Sequence, residues 1–379
     1  MGKQVVILGA GPGGIGIAHK LLKRTYPNVS DLKVILVSPS THVYWPPGTV
    51  RGVIPGEFAD DILFKPLASA FAKYDAKQFE LIEGKATSLD TANNVVQIET
   101  RDGGAQTLNY DQLVIATGTR TTTGVPFKLL DSYQETIDKW HDLQSKVDAA
   151  KSIVIAGGGP AGVETAGEIA AKYGTSKKIT LVNSADTLMN AYLPSVGKAS
   201  EDALTSLGVK VINKVRATTP FENNGAVTEV TLSNGETIAT DLFIPLIGVR
   251  PNTEFIPKEL HDQSRNDGSL AQDKTLRVSG TQNVWAVGDV GNLESKQLLR
   301  IEPQIATLWK NLDASLRGNE PSLTNHKVNT SPAVVATMGR KHGTGQLFGL
   351  KLWNWFASMI KGKTLFTDKS PAWINGDTA

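Results

Sequence analysis

The apolar residues of this chain gather in short β-branched runs, separated by amphipathic stretches and by glycine or proline breaks. Gln4-Val-Val-Ile-Leu8, Lys33-Val-Ile-Leu-Val37, Ser152-Ile-Val-Ile-Ala156 and Lys178-Ile-Thr-Leu-Val182 are too short for helices. Their apolar residues do not alternate with polar ones, the pattern of strands buried within a parallel sheet. Alternating segments follow the first pair: Phe79-Glu-Leu-Ile82, Asn94-Val-Val-Gln-Ile98 and Gln106-Thr-Leu108, broken at Asp102-Gly-Gly104. These predict antiparallel strands. Tyr110-Asp-Gln-Leu-Val-Ile-Ala-Thr117-Gly118 then reads as one more buried strand.

The second half repeats the plan. It has a strand at Val209-Lys-Val-Ile212, a turn at Ser233-Asn234-Gly235, and a closing buried strand, Asp241-Leu-Phe-Ile-Pro-Leu-Ile-Gly248. The two closing strands match closely enough to indicate a domain-sized internal repeat. A further strand, Val284-Trp-Ala-Val-Gly288-Asp289, precedes a helix expected to begin near Glu302-Pro303-Gln304. From Ser331 the composition turns aromatic and basic. The pattern predicts an α/β chain of two Rossmann-type, three-layer domains with β-meander inserts and a small C-terminal cap. Residues 1–120 and 249–330 would be two parts of one nucleotide-binding domain, 121–248 the other, and 331–379 the cap.

Two glycine loops supply the chemistry. Gly9-Ala-Gly11-Pro12-Gly13-Gly14 and Gly157-Gly-Gly159-Pro-Ala-Gly162 each follow a strand and open a helix. In such a loop the first glycine makes the turn and the second admits a pyrophosphate against bare backbone. The third lets helix and strand pack, with the phosphates at the helix N-terminus. Two loops imply two nucleotides, most simply a flavin and a nicotinamide. The 379 residues include no cysteine, which excludes a redox-active disulfide as electron relay. With 39 Lys and Arg against 37 Asp and Glu the charge nearly balances. No polyanion-binding field follows, and no helix-turn-helix or finger motif points to nucleic acid. The six histidines have no ligand-like spacing, so no metal site is expected.

These signatures, in the order Gly-x-Gly-x-x-Gly, Ala-Thr-Gly, a second glycine loop with Glu164, and Val-Gly-Asp, resemble the pyridine-nucleotide–disulfide-oxidoreductase superfamily along nearly the whole chain. Gly157-Gly-Gly-Pro-Ala-Gly-Val-Glu164-Thr-Ala-Gly-Glu168-Ile resembles the apoptosis-inducing-factor-like branch. Gly339-Arg340-Lys-His-Gly343-Thr-Gly345-Gln346 and Lys361-Gly-Lys-Thr-Leu-Phe366 resemble the ferroptosis-suppressor quinone reductases and their fungal relatives. The resemblance implies FAD at the first loop and NADH or NADPH at the second. Asp289 and Gly288 would meet the ribityl chain, and Thr117-Gly118 would hinge against the flavin. Glu302 and Gln304 would start a helix aimed at the pyrimidine ring. Glu164 would lie beside the nicotinamide, and Lys361 near flavin and acceptor.

Three departures bear on these expectations. Val6 replaces the hydroxyl residue of the branch's lipidation signal, so no acyl anchor is expected. Ser38 stands where an acid usually binds the flavin ribose. Asn183-Ser184 ends the second nucleotide strand without a carboxylate, which leaves NADH and NADPH both admissible. Arg51, after the loop His42-Val-Tyr-Trp45-Pro46-Pro47-Gly48, and Gly248 complete the expected cofactor contacts. Tyr44, Trp45, Trp353, Trp355 and Phe366 could line a flat slot for a quinone-like aromatic acceptor, with Lys361, Glu164 and Trp45 as its reacting side chains.

Simpler readings stand beside these. Glu164 could be an early-helix acid favoured by the dipole, and Lys361 and Arg340 could be surface charges. Trp353–Phe356 could be core, a homodimer face, or a weak membrane-surface contact. A cytoplasmic location is expected, because the first strand starts near Gln4 and no apolar run reaches a membrane span. Two other functions fit the same residues: a tailoring oxidoreductase of a specialised metabolite, and a slow redox sensor.

Overall fold

The computed structural model describes residues 2–29, 31–219, 228–319 and 322–379. Met1, which with Gly2 opens the chain like an acylation signal, lies outside them. Among the described residues, a seven-stranded sheet runs in the order Val284–Ala286, Gln112–Ile115, Gln4–Leu8, Lys33–Ser38, Phe79–Asp90, Val95–Thr100, Ala105–Asn109. The first five strands are parallel. Except for half-buried Leu81, their Val, Ile and Leu side chains are buried on both faces, as the unbroken apolar runs require.

Phe79–Asp90 departs from the pattern reading. Its first half pairs parallel with Lys33–Ser38, and only from Gly84 does it turn into the antiparallel meander. Alternation reports which faces are covered and is silent about the direction of the neighbouring strand.

A second, all-parallel sheet has the order Lys210–Ile212, Lys178–Val182, Ser152–Ala156, Leu242–Pro245. The turn at Gly235 joins the hairpin Glu229–Thr231 and Thr237–Ala239. Thr119–Thr121 and Val249–Pro251 pair antiparallel between the two sheets, so the chain enters and leaves the second unit through one ribbon.

The helix expected at Glu302 starts at Leu298 and runs to Leu316, with Pro303 inside it. Residues 331–379 add an antiparallel sheet, Val334–Met338, His342–Leu347 and Leu350–Leu352. Its first strand packs on the helix Pro160–Tyr173, which opens at the second glycine loop. The terminal helix Ser370–Ile374 returns to the first loop, where the Trp373 indole N–H donates to the Pro12 carbonyl at 3.2 Å.

Candidate active site

The two glycine loops have one geometry. Gly9 and Gly157 take φ of 104° and 126°, in the left-handed region, and a Cβ on either would sit 2.4 Å from the carbonyl oxygen of Ala116 or Leu246. Those two residues directly follow the matching closing strands of the repeat. Gly11 and Gly159 are extended, and a Cβ there would meet no protein atom within 4 Å. A Cβ on Gly14 or Gly162 would lie 1.9 Å from the oxygen of Gly9 or Gly157. Turn, bare approach and tight packing thus fall on the first, second and third glycine of both loops. Pro12 and Pro160 open the two helices, where a missing N–H costs nothing.

A cavity of about 1050 Å³ extends from the first loop. Gly9, Gly11, Pro12, Gly13, Ser38, Thr117, Gly118, Gly248, Gly288 and Asp289 line it, and it reaches Pro160, Ala161 and Glu164 of the second unit. Gly14 sits behind it, as its packing role demands. Ser38 presents little free hydroxyl, since Oγ donates to the Ser40 carbonyl at 2.8 Å and accepts the Ser40 N–H. Thr117 is pinned on both sides: its Oγ1 donates to the Asn252 carbonyl at 2.7 Å, and its own carbonyl accepts from Asn252 Nδ2 at 2.9 Å. Asp289 Oδ2 accepts from Thr119 Oγ1 at 2.9 Å and from Lys128 Nζ at 3.1 Å, which fixes a carboxylate at the cavity wall.

Gln304 does not reach the cavity. It holds the Gly288 loop from behind, accepting the Gly288 N–H at 2.8 Å while its amide donates to Glu294. Because the helix begins at Leu298, the residues at its cavity end are Leu298 and Ile301, and Glu302 is exposed a turn further along. Glu302 is therefore corrected as a cofactor contact, while the positive end of that helix does meet the cavity.

At the far end, Glu164 carries a second set of contacts. Its carboxylate accepts from Lys361 Nζ at 2.6 and 2.8 Å and from the Thr337 N–H at 2.9 Å. Lys361 also donates to the Val335 carbonyl, and both side chains are buried. This joins the helix Pro160–Tyr173 to the cap in one buried ion pair, so neither residue is a surface charge. One helical turn on, Glu168 receives a bidentate bond from Arg51, at 2.8 Å twice. Burial pushes the Glu168 carboxyl up, and the Arg51 bonds oppose that. Arg51 is 1% exposed and spends its remaining donors on the carbonyls of Gly362 and Lys363. It touches no part of the cavity and is corrected from cofactor contact to structural cation.

Trp45 is corrected as well. Its indole is buried edge-on against Trp373, outside the cavity, while its neighbours Tyr44, Pro46 and Pro47 line it. Tyr44 bonds Thr49 and the Pro126 carbonyl, and burial pushes its phenol far up. His42 lines the cavity too, stacked at 3.7 Å on Tyr133, and burial lowers its pKa. Trp353 and Trp355, expected at the slot or in the core, are 72% and 60% exposed, and neither they nor Phe366 line the cavity.

Asn183 packs under the second loop, where a Cβ on Gly158 would meet it at 2.4 Å, and its amide donates to Ala185 and Asn213. The contributions of Lys128, Asn252, Lys296 and Leu298 escaped sequence reasoning, since each reaches the cavity from a loop or helix end with no motif. Glu168 carried a signal: two acids four apart in an Ala- and Gly-rich buried helix require buried cations.

The cavity fits FAD on these observations. Its glycine wall is bare where phosphates would lie, helix N-termini meet it, and the Asp289 carboxylate is held at its wall.

Comparison with known proteins agrees with this geometry. Residues 3–310 match the family model described as pyridine nucleotide-disulphide oxidoreductase. The chain is 37% identical to oxidoreductase ptaL of Pestalotiopsis fici, over 99% of both chains. It is 26% identical to Ferroptosis suppressor protein 1 of Homo sapiens, over 97% of this chain and 94% of that one. Among solved structures, NDH2 from Plasmodium falciparum in complex with NADH superposes with a TM-score of 0.77 at 14% identity, covering 100% of this chain and 96% of that chain. The sulfide:quinone oxidoreductase of Aquifex aeolicus gives 0.77 at 19%, over 99% and 92%. Both likenesses are of fold.

Proposed function

Since the chain belongs to the pyridine nucleotide-disulphide oxidoreductase family, we propose that it carries two electrons from NADH or NADPH, through FAD, to a quinone or similar small aromatic acceptor. The observation that carries this reading is the continuity of one cavity from the first glycine loop to Pro160, Ala161 and Glu164 of the second. Bound there, FAD would supply the chemistry of taking a hydride and releasing its electrons. The first loop, Asp289 and the Leu298 helix end would hold that cofactor; Asn252 keeps Thr117 and Gly118 in place. With no cysteine in the chain, electrons leave directly to a bound acceptor.

Reducing a quinone by two electrons consumes two protons, one arriving with the hydride and one from the medium. We assign the second to Glu164 and Lys361: Glu164 lines the cavity and Lys361 Nζ lies 2.6 Å from its carboxylate. Their pair can hand a proton inward and recover it from the cap side.

Stopped-flow mixing with NADH and NADPH under anaerobic conditions, followed by addition of a short-chain quinone, tests the reading. Rapid flavin bleaching and reoxidation by quinone are expected. In Lys361→Met, bleaching persists while acceptor turnover falls by about a hundredfold. A protein that binds no flavin, or is bleached by neither coenzyme, overturns the reading. A second reading, a tailoring oxidoreductase acting on a specialised aromatic metabolite, is favoured by the higher identity to the fungal oxidoreductase than to the ferroptosis suppressor. Fast bleaching with inertness toward simple quinones would select it.

A further inference from the structure

Residues 348–359 expose five large apolar side chains: Phe348 at 93%, Leu350 at 71%, Trp353 at 72%, Trp355 at 60% and Met359 at 63%. Folded domains seldom leave so much apolar surface together unless something covers it. Phe348 and Gly349, both at positive φ, form the tip of the turn between His342–Leu347 and Leu350–Leu352. The two indoles lie 6.4 Å apart, and Trp355 and Met359 are one helical turn apart on the stretch that follows.

From Arg340 to Thr367 the chain has five basic residues and no acid; Lys361 is buried against Glu164 and Arg340 pairs with Glu57, which leaves Lys341, Lys351 and Lys363 exposed. Lys351 lies exposed between Leu350 and Leu352, inside the patch.

We propose that this aromatic and basic face docks the protein on a membrane surface carrying anionic lipid. Exposed indoles and phenyls seat at the boundary of head group and acyl chain, and lysines among them are drawn to anionic phosphates. A second copy of the chain is the poorer occupant. A two-fold contact lays the patch on itself and brings Lys351 near its own symmetry mate, with no acid in the segment to offset the repulsion.

The placement also has a consequence for the site, and this part rests on the quinone reading above. The helical stretch that turns Trp355 and Met359 outward turns Ala357 and Lys361 inward, each pair four residues apart. Lys361 is the residue bonded to Glu164 at the cavity end. The face that meets lipid is therefore joined to the cavity end through the Lys361–Glu164 pair.

The test is flotation of the flavin-loaded protein with vesicles of phosphatidylcholine plus phosphatidylserine, and with phosphatidylcholine alone. Wild type is compared with the triple variant Phe348→Ser, Trp353→Ser, Trp355→Ser. Wild type is expected to float with the anionic vesicles, to lose binding in high salt, and to show blue-shifted indole emission. The triple variant, with unchanged melting and flavin content, should bind about tenfold or more weakly. It should still reduce a water-soluble quinone at the wild-type rate. Absence of flotation, or equal flotation by the variant, overturns the proposal. So does a wild-type dimer that the variant converts to monomer. Flotation reads the membrane contact without turnover, so it stands apart from any failure of the quinone reading.

Discussion

Single atoms decide much of this molecule. The third glycine of each loop tolerates no Cβ, because the carbonyl of the first glycine lies 1.9 Å from where it would be. Gly14→Ala should weaken FAD by about ten- to a hundredfold, from about 1–3 kcal/mol of overpacking. Gly162→Ala should keep its flavin yellow while reduction by the coenzyme needs far more NADH or NADPH. Flavin titration and stopped-flow reduction distinguish the two, and loss of flavin from both variants alike would contradict separate roles for the loops. His19 gives a different prediction. The Ile374 carbonyl can only accept, so Nε2 bears the proton and Nδ1 accepts from the Tyr74 hydroxyl. Burial, the larger cause, and nearby lysines hold its pKa down to about 4. The unfolded chain takes up a proton near pH 6.5 that the folded one refuses until about pH 4. Stability therefore falls as pH drops through that window and is flat above it, by up to about 3 kcal/mol. Urea unfolding of wild type against His19→Gln across this range should show the slope only where the imidazole remains.

Among the elements, the helix Pro160–Tyr173 joins most to its surroundings. One face carries Glu164 to Lys361 and Glu168 to Arg51, so the helix is tied at once to the cap and to the short helix Thr49–Gly52. Arg51→Met strands a buried carboxylate and should destabilise the protein by about 3–5 kcal/mol, most of it recovered in Arg51→Met with Glu168→Leu. Equal urea midpoints for wild type and the single variant would refute this. The element level is also where the sequence was most and least legible. The strands, the repeat and the glycine loops could be read because each rests on local chemistry: β-branched runs, a left-handed turn, a close backbone approach. The start of the Leu298–Leu316 helix could not. A proline usually marks a first turn, and here Pro303 sits exposed in the second. Arg51 and Trp45 were misplaced for a related reason. A loop residue's direction is set by distant partners, here Glu168 and Trp373, which no spacing along the chain reveals.

Across the whole molecule, the helix Ser370–Ile374 closes on the first loop and the helix that follows it. The terminal helix bonds Pro12 through Trp373 and His19 through Ile374. Deleting residues 370–379 should leave the second sheet intact while FAD dissociates markedly faster, seen as released flavin fluorescence on dilution; retention at the wild-type rate would show that the tail is dispensable. The ribbon of Thr119–Thr121 and Val249–Pro251 has a consequence of another kind. Val249 is registered against Thr121, so everything between them departs and returns at adjacent points. A segment with neighbouring ends can be cut out and replaced by a homologue without rethreading the remainder. In evolutionary terms the segment assigned to the nicotinamide is a cartridge: one recombination event could change the electron donor, carrying Lys128 and Glu164 with it, while the first glycine loop, Asp289 and Lys361 are inherited untouched.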